Sequence, residues 1–306
     1  MDSLDQEILS IIDTVSRHNL ELNVNRLSSF HTRHSKSNCI NKAAEWLLEE
    51  LRDLGYEQAM YHHYREKIDN MEHDLKNIIC NKKGNKDKTI MICAHYDCRM
   101  ENLDDSESRA PGANDNASGV SAVLEIARIL AKQNLEHTLQ FVFFSGEEQG
   151  LLGSKNYAKH IRDAGLDLCC LINLDMVGYP RLNKRTVIIE RDNNVDPKHN
   201  RVRENDEKSI ELGEIMKDMS YYANLQYYLD TIYDSDYEPF EAEGYIVIGA
   251  YDGSAETTNP HYHDSSDVPS LIDWDYLMSV TKMVLATVIK ISNIAYYNRS
   301  IFMNNR

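Results

Sequence analysis

Phe141-Val142-Phe143-Phe144-Ser145-Gly146-Glu147-Glu148-Gln149-Gly150-Leu151 decides how the rest of the chain is read. Its four leading apolar residues form a run too short and too rich in β-formers for a helix, so it reads as a buried strand. Ser145-Gly146 breaks the run, and Glu147-Glu148 come next, where a strand hands over to a helix. Adjacent carboxylates at the end of a buried strand are costly unless a cation holds them, because a buried charge must be paired or metal-bound. The rest of the sequence must supply that cation and the ligands that share it.

Working outward, a helix is expected from near Ser118, carrying Val120, Val123, Leu124, Ala127 and Leu130, with another over residues 151–162. Short apolar runs predict strands at 75–80, 89–94, 139–144, 169–174, 186–189, 225–229 and 245–248. Helical periodicity predicts further helices at about 3–17, 41–54, 204–222 and 274–294, with Gly55 stopping the second of these. Apolar strands alternating with helices define an α/β protein, with a mixed, largely parallel sheet covered on both faces. In such folds the ligand crevice lies beyond the carboxyl ends of the strands.

The 306 residues carry no internal repeat or linker tract and are expected to form one domain, with a helical insertion at about 191–222. A net charge of −16 argues against nucleic acid as a partner, since phosphate binding needs a basic face. Met1–Glu7 lacks the basic and apolar regions of a signal peptide, and no apolar run reaches membrane-spanning length. The six cysteines show no disulfide or zinc-ribbon spacing and read as free thiols. Together these features predict a cytoplasmic protein that is not membrane-bound.

The residues immediately after each apolar strand carry the chemistry. His95-Tyr96-Asp97 succeed the strand at 89–94, Glu147-Glu148 the strand at 139–144, and Asp175 the strand at 169–174. Asp115 lies in Pro111-Gly112-Ala113-Asn114-Asp115-Asn116-Ala117-Ser118-Gly119, which opens a helix, and His261 and His263 lie in a late turn-rich loop. Three carboxylates and two imidazoles from five separated loops suit zinc, or less often cobalt or manganese. Two zinc ions are electrostatically reasonable, because Asp115, Glu148, Asp175 and one hydroxide balance their four charges.

The pattern resembles the dinuclear zinc aminopeptidases of peptidase family M28, the bacterial leucyl-aminopeptidase type. The resemblance runs from about Phe30 to Ile289 and is carried by residues 94–97, 112–119, 143–153, 173–178 and 262–263. It implies a three-layer zinc-exopeptidase sandwich of the phosphorylase/hydrolase-like kind. It also implies one metal at His95 and Asp175, a second at Glu148 and His263, and Asp115 bridging the two. The position of His263 in the Tyr-His pattern favours it over His261. Glu147 takes the family's general-base position, serving a hydroxide that bridges two zinc ions ~3.5–4 Å apart. Asp97 is implied to orient the His95 ring, and Tyr262 to donate to the developing oxyanion.

The resemblance therefore implies a zinc metallo-aminopeptidase acting on peptides with a free N-terminus. Two alternatives are a glutaminyl-cyclase-like acyltransferase on the same fold, with one zinc, and a non-catalytic peptide-binding relative. The remaining histidines (His18, His31, His34, His62, His63, His73, His137, His160 and His199) read as surface residues, and Cys98 as a spectator. Six tyrosines, Tyr221, Tyr222, Tyr227, Tyr228, Tyr233 and Tyr237, read mainly as packing, with two or three at the cleft. The acidic loop at 101–109 joins the first ligand to the bridging one and is a candidate selector of basic N-terminal residues, beside its plainer reading as a solvated loop.

Overall fold

A computed structural model describes residues 3–180, 185–254 and 259–293. Its strands are β1 (Met60–Ile68), β2 (Met71–Lys82), β3 (Lys86–His95), β4 (His137–Phe144), β5 (Leu168–Leu174), β6 (Thr186–Arg191), β7 (Gln226–Thr231) and β8 (Val247–Tyr251). They form one eight-stranded sheet in the order β1-β2-β4-β3-β5-β8-β6-β7. The centre, β4-β3-β5-β8, is parallel. The β1-β2, β2-β4 and β8-β6 pairs are antiparallel, and β6-β7 is parallel.

The central strands are apolar along their length because both faces are covered. Ile90 and Ile92 of β3 enter the larger core, with residues of α1 (Ser3–Ile12), α2 (Arg17–Ser29), α3 (Cys39–Asp53), α4 (Gly119–Leu130), α6 (Asp206–Tyr222) and α8 (Trp274–Asn293). Met91 and Cys93 alternate to the other face, packing with residues of α5 (Leu152–Ala164) and α7 (Glu238–Glu241). The result is a three-layer α/β sandwich.

The chain leaves β3 through α4 to reach β4 on one side, then passes through α5 to β5 on the other side of β3. Right-handed crossovers run in opposite directions place α4 and α5 on opposite faces. The crevice therefore opens above the carboxyl end of β3, where the strand order reverses.

Several expectations need correction. The helix expected over 3–17 ends at Ile12, and α2 begins beyond Ser16, whose hydroxyl accepts the Asn19 N–H. Periodicity continued through Val15 because Val15 is also buried, so the pattern hid the break. The polar β1 was not anticipated. It pairs with β2 along its whole length through a turn at Asp69-Asn70, both with positive φ, and that dipeptide was the available hairpin signal. The last strand lies at Val247–Tyr251 rather than 245–248. Ile294, the expected end of the closing helix, and Met1-Asp2 lie outside the described residues.

Candidate metal centre

β3 carries His95 at its last position, while the segments after β4 and β5 carry Glu147-Glu148 and Asp175. Adjacent parallel strands bring these three onto one edge. Asp115 arrives from the turn before α4, where the Asp115–Asn116 peptide bond is cis. His263 arrives from the loop preceding α8 and is held at φ +53, in the left-handed region that residues with a side chain seldom adopt.

Two groups meet at Asp115. Nε2 of His95 lies 3.4 Å from Asp115 Oδ1 and 3.2 Å from Asp175 Oδ1. On the other side, Nε2 of His263 lies 3.0 Å from Asp115 Oδ2 and 3.1 Å from Glu148 Oε2. Each carboxylate oxygen of Asp115 thus faces a different imidazole. His261 bonds instead to Ser266, through Nδ1.

Asp97 lies beneath the centre. Its two oxygens accept the backbone N–H groups of Glu147 (3.3 Å) and Glu148 (3.2 Å), and Oδ1 faces His95 Nδ1 at 3.6 Å. One buried carboxylate therefore fixes the strand-end turn and places its charge near the side of the ring turned away from Asp115. Arg99 Nε donates to Glu148 Oε2 at 2.8 Å, and Ser235 Oγ donates to Asp175 Oδ2 at 2.6 Å.

The motif over 112–119 is bound to the rest of the site by its own side chains. Asn114 Oδ1 accepts the Gly178 N–H, while its amide donates to Asp252 and Ser254. Asn116 donates to the Leu174 carbonyl and accepts from Met176, stitching the Asp115 turn to the Asp175 loop. A Cβ at Gly119 would stand 2.5 Å from the Leu174 carbonyl oxygen, so only glycine permits this approach. Asp267 receives the N–H groups of both Asn114 and Asp115.

Charge in the centre is unbalanced without a cation. Burial, with Asp175 and Glu148 nearby, pushes the Glu147 carboxyl well above its ordinary range, against the pull of His95. Burial lowers His263, but Glu148 and Asp115 outweigh it and raise the imidazole to about 9. Burial likewise opposes protonation of His95, yet Asp175 and Glu147 raise it well above the usual value. Both imidazoles draw protons because the cluster is strongly negative. Glu148 Oε1 is buried without a hydrogen-bond partner among the described residues.

A cavity of about 510 Å³ adjoins the cluster, lined by Glu147, Tyr262, His95, Asp115, Glu148 and Asp175, and continuing past Met176, Ile188, Glu190, Asp230 and Tyr251. The ring of Tyr262 stacks on His263, with centroids 3.6 Å apart. Tyr233 and Tyr237 line the cavity, whereas Tyr221, Tyr227 and Tyr228 are exposed rather than packed. No residue of the acidic loop at 101–109 lines it.

Four histidines read as surface residues are placed otherwise. His34 is buried and bonds to the Leu103 carbonyl, and His137 is buried against Ser292. His199 is buried and pairs with Glu238. His62 is half-buried among Tyr64, Tyr157 and His160, where burial lowers its pKa to about 4. Cys98 sits beneath the loops, donating to the Ala110 carbonyl and accepting the Arg33 N–H. Arg33, Asp252 and Glu190 were not singled out from the sequence, and no local pattern marks them.

Fold and site together define an α/β protein with a negatively charged, imidazole-carboxylate centre at its parallel strand ends. Residues 77–288 match the model of peptidase family M28; the chain belongs to this family and is a hydrolase of the peptidase class. A probable zinc metalloprotease of Pyrenophora tritici-repentis is 27% identical over 335 residues, covering 94% of this chain and 77% of the relative. A probable leucine aminopeptidase of Trichophyton verrucosum is 27% identical over 284 residues, covering 91% and 74%. Among solved structures, the Legionella pneumophila LapA aminopeptidase aligns with a TM-score of 0.76 at 21% identity, covering 94% of this chain and 75% of that one. A Porphyromonas gingivalis glutaminyl cyclase aligns with a TM-score of 0.72 at 24% identity, covering 90% and 98%. These two structural likenesses establish the shared fold.

Proposed function

We propose that this protein is a zinc-dependent aminopeptidase that binds two metal ions and removes the N-terminal residue of a peptide. The observation that carries the reading is the pair of three-residue groups sharing Asp115, His95-Asp115-Asp175 and Asp115-Glu148-His263, each with ligand atoms within 4.8 Å of one another. The donor set is the imidazole-carboxylate mixture that suits zinc, and Glu148 Oε1, buried without a hydrogen-bond partner among the described residues, suits a cation. Two zinc ions bound there supply Lewis-acid polarisation of the scissile carbonyl and lower the pKa of water.

The chain's own residues take the remaining roles. Glu147 accepts a proton from the attacking water and returns it to the leaving amine, the general-base role for a carboxylate beside the centre that is not itself among the ligand candidates. Asp97 holds the Glu147 and Glu148 backbone in place, and Tyr262 offers a hydroxyl to the developing oxyanion. The acidic cavity holds the free amino group. Six free cysteines support the cytoplasmic reading, and no helix among the described residues is long and apolar enough to cross a membrane.

The test is metal analysis combined with a panel of aminoacyl-anilides and N-blocked peptides, assayed before and after chelation and zinc return. Two equivalents of zinc and turnover of unblocked substrates alone are expected. One equivalent, with cyclisation of N-terminal glutamine, would instead favour the acyltransferase alternative that the glutaminyl-cyclase likeness keeps in view. Glu147→Ala is expected to abolish turnover while metal content stays near normal. An active Glu147→Ala enzyme, or equal cleavage of blocked and free peptides, would overturn the proposal.

A further inference from the structure

The cavity extends well beyond the metal centre, across strands that contribute no ligand. Val187 and Ile189 of β6 face the larger core, so the alternate residues Ile188 and Glu190 face the cavity. Glu190 is only 8% exposed and pairs in register with Asp230 of β7 on one side and Gly249 of β8 on the other. A Cβ at Gly249 would stand 2.4 Å from Glu190 Oε2, so the bare backbone there leaves the space that the carboxyl fills.

The sheet order β5-β8-β6-β7 places Glu190 two strands and Asp230 three strands from the strand that precedes Asp175. At the usual spacing these are lateral offsets of roughly 10 and 14 Å. Met176, Ile188, Tyr251 and Tyr262 provide apolar surface around the same cavity, and Asp234 adds a third acid. Among the described residues, no lysine or arginine lines it. Burial, with Asp175 and Asp230 nearby, pushes Glu190 well above the ordinary carboxyl range, against the opposing influence of the neighbouring Tyr237 hydroxyl. A buried carboxyl in that position, with no cation among the described residues lining the cavity, is one that a cationic ligand would stabilise.

We propose that Glu190, with Asp230 beside it, makes this cavity selective for peptides whose N-terminal residue is lysine or arginine. The inference rests on the aminopeptidase reading above. A long basic side chain lays its methylenes along apolar surface and presents its charge at the end, which matches an acidic floor reached past Met176, Ile188 and Tyr251. The selectivity considered for the loop at 101–109 is thereby assigned to β6 and β7.

The experiment compares kcat/KM for the Lys, Arg, Leu and Ala anilides on the zinc-loaded full chain. Lys and Arg are expected to exceed Leu by roughly tenfold or more. Glu190→Gln is expected to lower the Lys/Leu ratio by roughly ten- to hundredfold, chiefly through KM for Lys. Asp230→Asn, at an exposed position that tolerates substitution, is expected to lower the ratio by a smaller factor. Leu cleaved as well as Lys, or a ratio unchanged in both variants, would overturn the proposal. If no free-amino substrate turns over, the aminopeptidase reading fails separately, and calorimetric binding of L-lysine against L-leucine decides the pocket. Tighter lysine binding supports the acidic floor; equal or tighter leucine binding rejects it.

Discussion

Arg33 shows how much of the site is held by residues that touch no candidate ligand. It is fully buried, and its guanidinium donates to the carbonyls of Tyr96, Leu27, Pro111 and Gly112. Two of those carbonyls, of Tyr96 and Gly112, lie close to His95 and Asp115 in sequence, so one side chain ties the His95 loop to the Asp115 turn. Arg33→Ala is expected to leave these acceptors unsatisfied and cost more than about 3 kcal/mol. Urea unfolding would read that loss and zinc titration a weaker affinity; a wild-type midpoint would refute the role. Lysine should not rescue it, because one ammonium cannot reproduce the planar fork. At this scale His95, Asp115, Glu148 and Asp175 stand out in the sequence, since each comes after an apolar run or opens a helix, whereas His263 was favoured over His261 only by the Tyr-His pattern. Arg33, Asp252 and Glu190 do not: their partners lie far away in sequence, and only the fold brings them together.

Among elements, the central strands were the most legible, because burial on both faces leaves a continuous apolar run. The edge strand β1 was the least. Its outer residues meet solvent, so Met60–Ile68 reads as polar chain even though it pairs fully with β2. The break between α1 and α2 depends on a local cap that amphipathic periodicity overrode. Ser16 accepts from Asn19 at 3.3 Å, and its own N–H donates to the buried Glu125 at 2.6 Å. Ser16→Ala is expected to cost about 1 kcal/mol, with activity retained. A urea midpoint equal to that of the parent would show that the cap does not hold this corner.

Across the whole molecule, acidic excess reaches the interior as well as the surface. Asp192 is fully buried, and burial, followed by Glu241 and Asp206, pushes its carboxyl up to about 8. An unfolded aspartate titrates near about 3.9, so between these values the folded state binds the additional proton. Stability from this group is therefore complete below about pH 4 and falls as pH rises toward 8. Asp192→Asn should flatten that fall and raise the melting temperature at pH 8 relative to the parent; parallel melting curves across the range would contradict this. Sequence by itself determined the α/β class, the strand ends where chemistry collects and the family resemblance, because burial and strand termination are written into local apolar patterns. Only the tertiary structure decided that both Asp115 oxygens face different imidazoles, that Asp97 holds Glu147 and Glu148 by their backbone, and that Glu190 rather than the loop at 101–109 faces the cavity. Those relations depend on strand order and register, which bring together residues that no local pattern connects.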